Sequence, residues 1–184
     1  VYDRIDTAPP WRQSATAVLF IHGVGADRDI WGDWLPHLSD RYSLLRLDLP
    51  GHGESDPWNT DVQLGYGFYM RVIQTVVEKE AVESLILIGE SMGGTIALYA
   101  ASEIPEKVKA VATCSTAHRG STLRNIRPWR DVMEEGGMAA WSEEMLENRF
   151  LPGAIEARLL EWFHRAQCNS DRETILAMAD LLVF

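Results

Sequence analysis

Hydrophobic residues in this chain fall in short unbroken runs rather than in strict alternation. Val18-Leu19-Phe20-Ile21 leads into His22-Gly23, and Ser43-Leu44-Leu45-Arg46-Leu47 leads into Asp48-Leu49-Pro50-Gly51. Ser84-Leu85-Ile86-Leu87-Ile88 leads into Gly89, and Val108 to Cys114 leads into small polar residues. Runs this short, rich in branched residues and closed by turn signals, predict strands. Continuous apolarity predicts strands covered on both faces, hence a mainly parallel sheet.

Between the runs the period changes to that of a helix. Ile30, Trp34, Leu35 and Leu38 share one side of a segment over 30–38, interrupted by Pro36. Val72, Ile73, Val76 and Val77 do the same within Phe68 to Glu80, and Met92 to Ser102 is small, apolar and closed by Pro105. Strands alternating with helices predict an α/β fold in which crossovers place helices on both faces of the sheet. After Ala117 the pattern loses its strands. Ile155, Leu159, Leu160 and Phe163 recur at helical spacing, as do Ile175, Ala179 and Leu182, with breaks at Gly136-Gly137 and Pro152-Gly153. Residues 1–117 are therefore expected to form the N-terminal part of an α/β core, and 118–184 a helical cap. Leu181 to Phe184 is expected to be either its last helical turn or the start of a connection.

Composition narrows the function. A net charge of -10 over 184 residues argues against nucleic acid, whose phosphates need a basic surface. No apolar stretch has the length of a membrane span, so no membrane partner is expected. Two cysteines, Cys114 and Cys168, are too few for a disulfide scaffold; Cys114 ends a strand that reads as buried, and free thiols in a cytoplasmic setting are expected. No His/Cys/Asp cluster has metal-ligand spacing, and neither a metal nor a cofactor is expected.

The densest chemical signal is Gly89-Glu90-Ser91-Met92-Gly93, directly after the third apolar run and before Gly94-Thr95-Ile96-Ala97-Leu98. A serine flanked by glycines on a tight strand-to-helix turn is held in strained backbone angles, its Oγ raised above the sheet at a helix N-terminus. Ser91 is the candidate nucleophile. The Met92 N–H at the helix start and the Val24 N–H of His22-Gly23-Val24-Gly25 are the candidate oxyanion donors. His22, Asp48 and His52 are expected to order their loops by hydrogen bonding rather than to react.

These residues resemble the α/β-hydrolase fold family. His22-Gly23, Asp48 to Ser55 and Gly89 to Gly94 stand in the family's order and approximate spacing, covering about Ala17 to Ser115. The nearest look is to lactonases and esterases of the 3-oxoadipate enol-lactonase type, with carbon–carbon bond hydrolases and haloperoxidase-like members close by. The resemblance implies a serine hydrolase acting on a small carboxylic ester or lactone through an acyl-enzyme, with Ser91 matching the nucleophile and Val24 and Met92 the oxyanion hole. It also implies a triad acid and histidine later in the chain, in the order Ser…Asp/Glu…His. Neither is found before Phe184. The chain is expected to be truncated before them, the core being completed by residues outside it or by a second chain or fragment. A hydrolase-fold scaffold without catalysis is the alternative from a different class.

Of the remaining histidines, His37 and His164 are expected at the surface. His118 follows the fourth strand, whose end points to the crevice of Ser91, and is a candidate substrate contact or cap hinge. Gly23, Trp129, Arg130, Met138 and Trp141 complete the candidate substrate contacts. An aromatic wall with one arginine suits a small ester or lactone that carries a carboxylate.

Overall fold

The computed structural model describes residues 1–12, 14–117 and 128–183, with Val183 described for its backbone alone. Five strands form one sheet: β1 (Tyr2–Ile5), β2 (Thr16–Ile21), β3 (Ser43–Leu47), β4 (Ser84–Glu90) and β5 (Val108–Cys114), in the order β1-β3-β2-β4-β5. β1 runs antiparallel to β3; all other pairings are parallel. The fold is a mainly parallel α/β sheet flanked by helices, the architecture of a partial α/β-hydrolase fold.

The unbroken apolar runs resolve into two faces. Leu19, Ile21, Leu45, Leu47, Leu85 and Leu87 belong to one cluster with Ile73, Val76 and Val77 of α2 (Tyr66–Lys79) and Ile96 and Ala97 of α3 (Met92–Glu103). Val18, Phe20, Leu44 and Ile88 meet Trp31, Ile30, Leu35 and Leu38 on the other face. Successive residues of a strand point to opposite faces, so a run buried on both sides shows no alternation in sequence.

Two expectations need correction, and one left open between a helical turn and a connection is decided. The single helix over 30–38 is a 3₁₀ turn, Arg28–Trp34, followed by the one-turn helix α1 (Leu35–Leu38). Pro36 stands in the first turn of α1, where its missing N–H costs no hydrogen bond. Cys114 is exposed rather than buried, because β5 pairs only with β4 among the described residues and most of its side chains face outward. Leu181 and Leu182 continue α6 (Arg172–Val183), so the last apolar run is helical.

Two further helices precede α6: α4 (Pro128–Arg149) and α5 (Ala157–Asn169). α4 is interrupted at Gly137, whose φ of +71° suits glycine. Met133 and Trp141 of α4 and Ile175, Leu176 and Met178 of α6 join the same apolar cluster as the sheet and α2. Burial is therefore shared between the strands and the C-terminal helices.

This packing sets the scale of core substitutions. Leu87 on the inner strand β4 is fully buried, so Leu87→Ala is expected to lower the unfolding free energy by about 2–5 kcal/mol. Leu151, 78% exposed, is expected to change it by less than about 0.5 kcal/mol when replaced by alanine. Urea unfolding of both variants checks the pair.

Candidate active site

Ser91 sits between the last residue of β4 and the first of α3 with φ 52° and ψ -121°. A left-handed backbone at a non-glycine residue costs on the order of 1–3 kcal/mol and needs surrounding structure to hold it. Here Ser91 N–H donates to Cys114 O at 2.9 Å, while Ser91 O accepts from Gly94 N–H at 3.1 Å and Thr95 N–H at 3.2 Å. The turn is possible only because backbone passes so close. A Cβ on Gly93 would run into the carbonyl oxygens of Ile21 and His22 at the end of β2, and one on Gly23 would lie 2.8 Å from Ser91 Cβ.

The loop after β2 thus lies directly against the Ser91 turn. Among the described residues nothing accepts from the Val24 N–H, and the Met92 N–H, in the first turn of α3, has no intrahelical acceptor. Ser91 is partly exposed while Val24 and Met92 are buried. Free N–H groups beside a reachable hydroxyl are suited to charge developing on a bound carbonyl oxygen.

His22 is fully buried with both ring nitrogens taken. Leu49 N–H donates to its Nε2 at 2.9 Å, so the proton sits on Nδ1, which donates to Gly23 O at 2.8 Å. The ring is neutral and ties the β2 loop to the β3 loop. Burial, with the neighbouring His52, holds its pKa well below the ordinary value. His52 is also buried. Its Nδ1 donates to Pro50 O at 2.9 Å, its Nε2 has no partner among the described residues, and burial lowers its pKa too. Asp48 fixes the same loops, accepting from Arg28 N–H at 2.8 Å and Glu54 N–H at 3.0 Å and pairing with the Arg28 guanidinium.

The candidate substrate contacts do not all converge. Trp141 does reach this region: it is buried, and a Cβ on Gly25 would lie 2.9 Å from its ring. Trp129 stacks edge-on against Trp141 at 5.4 Å, and Met138 packs on the same cluster. Arg130 points elsewhere, half exposed and 3.8 Å from Asp180. His118 lies outside the described residues. His37 is exposed. His164 is half-buried rather than at the surface, its Nδ1 2.9 Å from Ser142 Oγ. Among the described residues no side chain hydrogen-bonds the Ser91 hydroxyl.

Two residues that sequence reasoning did not single out adjoin the turn. Glu90, immediately before Ser91, is largely buried and its carboxylate crowds Gly23. Burial raises its pKa, opposed by Arg149. Arg149, the last residue of α4, reaches Val24 O at 3.4 Å and Glu90 Oε1 at 3.5 Å. Glu90 stood in the motif and was readable as a charge beside the serine; nothing near Arg149 in the chain marks it.

Known proteins supply the wider context. A family model for the alpha/beta hydrolase fold matches residues 16–166. The dihydrolipoyllysine-residue acetyltransferase component of the acetoin cleaving system of Cupriavidus necator is 37% identical over 113 residues, which are 60% of this chain and 29% of that protein. The pimeloyl-[acyl-carrier protein] methyl ester esterase of Neisseria meningitidis is 33% identical over 100 residues, 54% of this chain and 29% of the esterase. The crystal structure of the enol-lactonase from Burkholderia xenovorans superposes with a TM-score of 0.83 at 19% identity, covering all of this chain and 69% of that one. The matched part of this chain thus spans under a third of the length of these two curated relatives.

The buried histidines make stability depend on pH. Both have lowered folded-state pKa values, so below about pH 6.5 the unfolded chain binds more protons than the folded one and stability falls with pH. The slope contributed by each histidine approaches about 1.4 kcal/mol per pH unit on the acid side of that value and vanishes above it. Urea unfolding between about pH 5 and pH 8 is expected to show this fall, and His52→Gln to flatten it.

Proposed function

Because the chain belongs to the α/β-hydrolase fold family, we propose that it carries the nucleophile of a serine hydrolase acting on a small carboxylic ester or lactone. The observation that carries this reading is Ser91 itself: a serine in a left-handed turn between β4 and α3, with the Val24 loop packed against it. The esterase among the curated relatives supports ester chemistry, and the enol-lactonase likeness is compatible with a lactone substrate.

In this reading Ser91 Oγ attacks the carbonyl carbon while a histidine takes its proton. The oxyanion is held by the N–H groups of Val24 and Met92, and the histidine's proton passes to the departing alcohol oxygen. Water then adds to the acyl-enzyme by the same route and releases the acid. The histidine and its acid partner are proposed to come from outside the described residues, on the rest of the protein or on a second chain that completes the core. Helices α4–α6 serve as the cap, with Trp141 and Trp129 as an apolar wall. The setting proposed is cytoplasmic, with Cys114 and Cys168 as free thiols.

A non-catalytic scaffold is the second reading, favoured by a Ser91 hydroxyl that has no side-chain partner among the described residues. A fluorophosphonate probe separates the two. The proposal expects stoichiometric labelling that maps to Ser91 and is lost in Ser91→Ala. Labelling no faster than at an exposed serine in the full-length protein would establish the scaffold instead.

A further inference from the structure

Helix α4 carries two apolar faces. Trp141, Met145 and Arg149, four residues apart, turn toward the core and the Val24 loop. Leu146 and Phe150, spaced likewise, lie on another side, where with Ile155 and Leu160 they line a cavity of about 540 Å³. Leu151, left largely exposed, lines it too. Among the described residues the only charges in this lining are the carboxylates of Glu143 and Glu147, both exposed and about one helical turn apart. An apolar hollow of the size that takes up compact organic groups, roughly 300–1,000 Å³, thus opens to water beneath a negative pair.

The opposite character stands at the other end of the sheet. The 3₁₀ turn Pro10–Arg12 is closed by Arg12 N–H donating to Pro9 O at 2.8 Å, and it holds Trp11 83% exposed. Arg12 and Arg41 are 61% and 72% exposed and share one carboxylate oxygen, Asp40 Oδ2, at 3.6 Å each. Two guanidiniums on one carboxylate leave the patch positive, and Tyr42 lines the same surface hollow as both arginines. Trp, Tyr and Arg are the side chains that anchor protein interfaces. Arg12 leads toward the start of β2 and Arg41-Tyr42 into the start of β3, and the two strands are parallel. α4 ends over the loop that follows β2. Patch and cavity therefore belong to opposite ends of the sheet and cannot meet within one molecule.

We infer that this protein associates with itself head to tail: Trp11 of one copy enters the cavity beside α4 and α5 of the next, with Arg12 and Arg41 against Glu143 and Glu147. The occupant is a second copy because both halves of the contact, a projecting aromatic ring with positive flanks and an apolar hollow with negative ones, stand on this one chain. At a net charge of -10 two copies repel elsewhere, so the positive patch is where a neighbour is attracted. Such a contact is heterologous. Each copy keeps a free plug and a free socket, and assembly grows into rings or open chains instead of stopping at a two-fold dimer. One aromatic anchor with exposed ion pairs gives an association of about micromolar strength.

Sedimentation velocity on the full-length protein, from about 1 to about 300 µM, tests this. The mean mass is expected to rise with concentration. Trp11→Ala, which removes the plug, and Glu143→Arg/Glu147→Arg, which reverses the socket's charge, are each expected to weaken the association at least about thirtyfold. All three positions are exposed, and an unchanged Tm shows that each variant is folded. The two variants mixed form the decisive arm. The first keeps its socket and the second its plug, so together they should give a one-to-one pair that grows no further. A protein that stays monomeric across the range, association undiminished in either variant, or a mixture that forms no pair would each overturn the inference. Monomer is the outcome expected if the cavity instead takes a small hydrophobic cation or another part of the full-length protein.

Discussion

The structure turns on how closely the end of β2 approaches the start of α3. The carbonyl oxygens of Ile21 and His22 face Gly93, and Gly23 faces Ser91 and Glu90, at separations that leave no room for a side-chain carbon. Backbone-on-backbone packing of this kind locks Ser91 into a left-handed conformation that an isolated turn would abandon. It also brings the loop that carries Val24 against the serine turn. Nucleophile candidate and oxyanion candidate are thus consequences of one close contact.

That contact needs its loops held still, and buried polar groups do so. His22 links the β2 loop to Leu49, and Asp48 links it to Arg28 and Glu54. Each bond satisfies a loop backbone group that burial would otherwise leave costly. His22 is therefore spent on scaffolding: protonating it would set a proton against the Leu49 N–H. This is the physical reason His22 is not suited to accept a proton from Ser91.

The C-terminal helices reach the same region from above. Trp141 and Gln167 pack on Gly25, Thr174 packs on Gly51, and Asp171 N–H donates to Gly51 O at 2.7 Å. Arg149 brings a positive charge to the Val24 loop and to Glu90. The loops that frame the serine are consequently sandwiched between the sheet and these helices, and any ligand there would meet residues from both.

Much of this was legible in the amino-acid order. The apolar runs located β2 to β5 and the 3.6-residue period located α2 and α3, because strand and helix burial are set by patterns a few residues long. The glycines around Ser91 marked the turn for the same reason: a tight strand-to-helix corner is a local constraint. Other features were decided only in three dimensions. An apparent helix over 30–38 divided into a 3₁₀ turn and α1, β5 became an exposed edge among the described residues although its sequence reads as buried, and Arg130 turned outward while Arg149 turned in. Glu90 and Arg149 are 59 positions apart and meet because α4 ends over the β2 loop. The sequence by itself determined the strands, the elbow and the loops around it, since each follows from short-range sterics and periodicity. Which distant charge stands beside the serine was left to the tertiary structure, because no local pattern encodes where a helix end comes to rest.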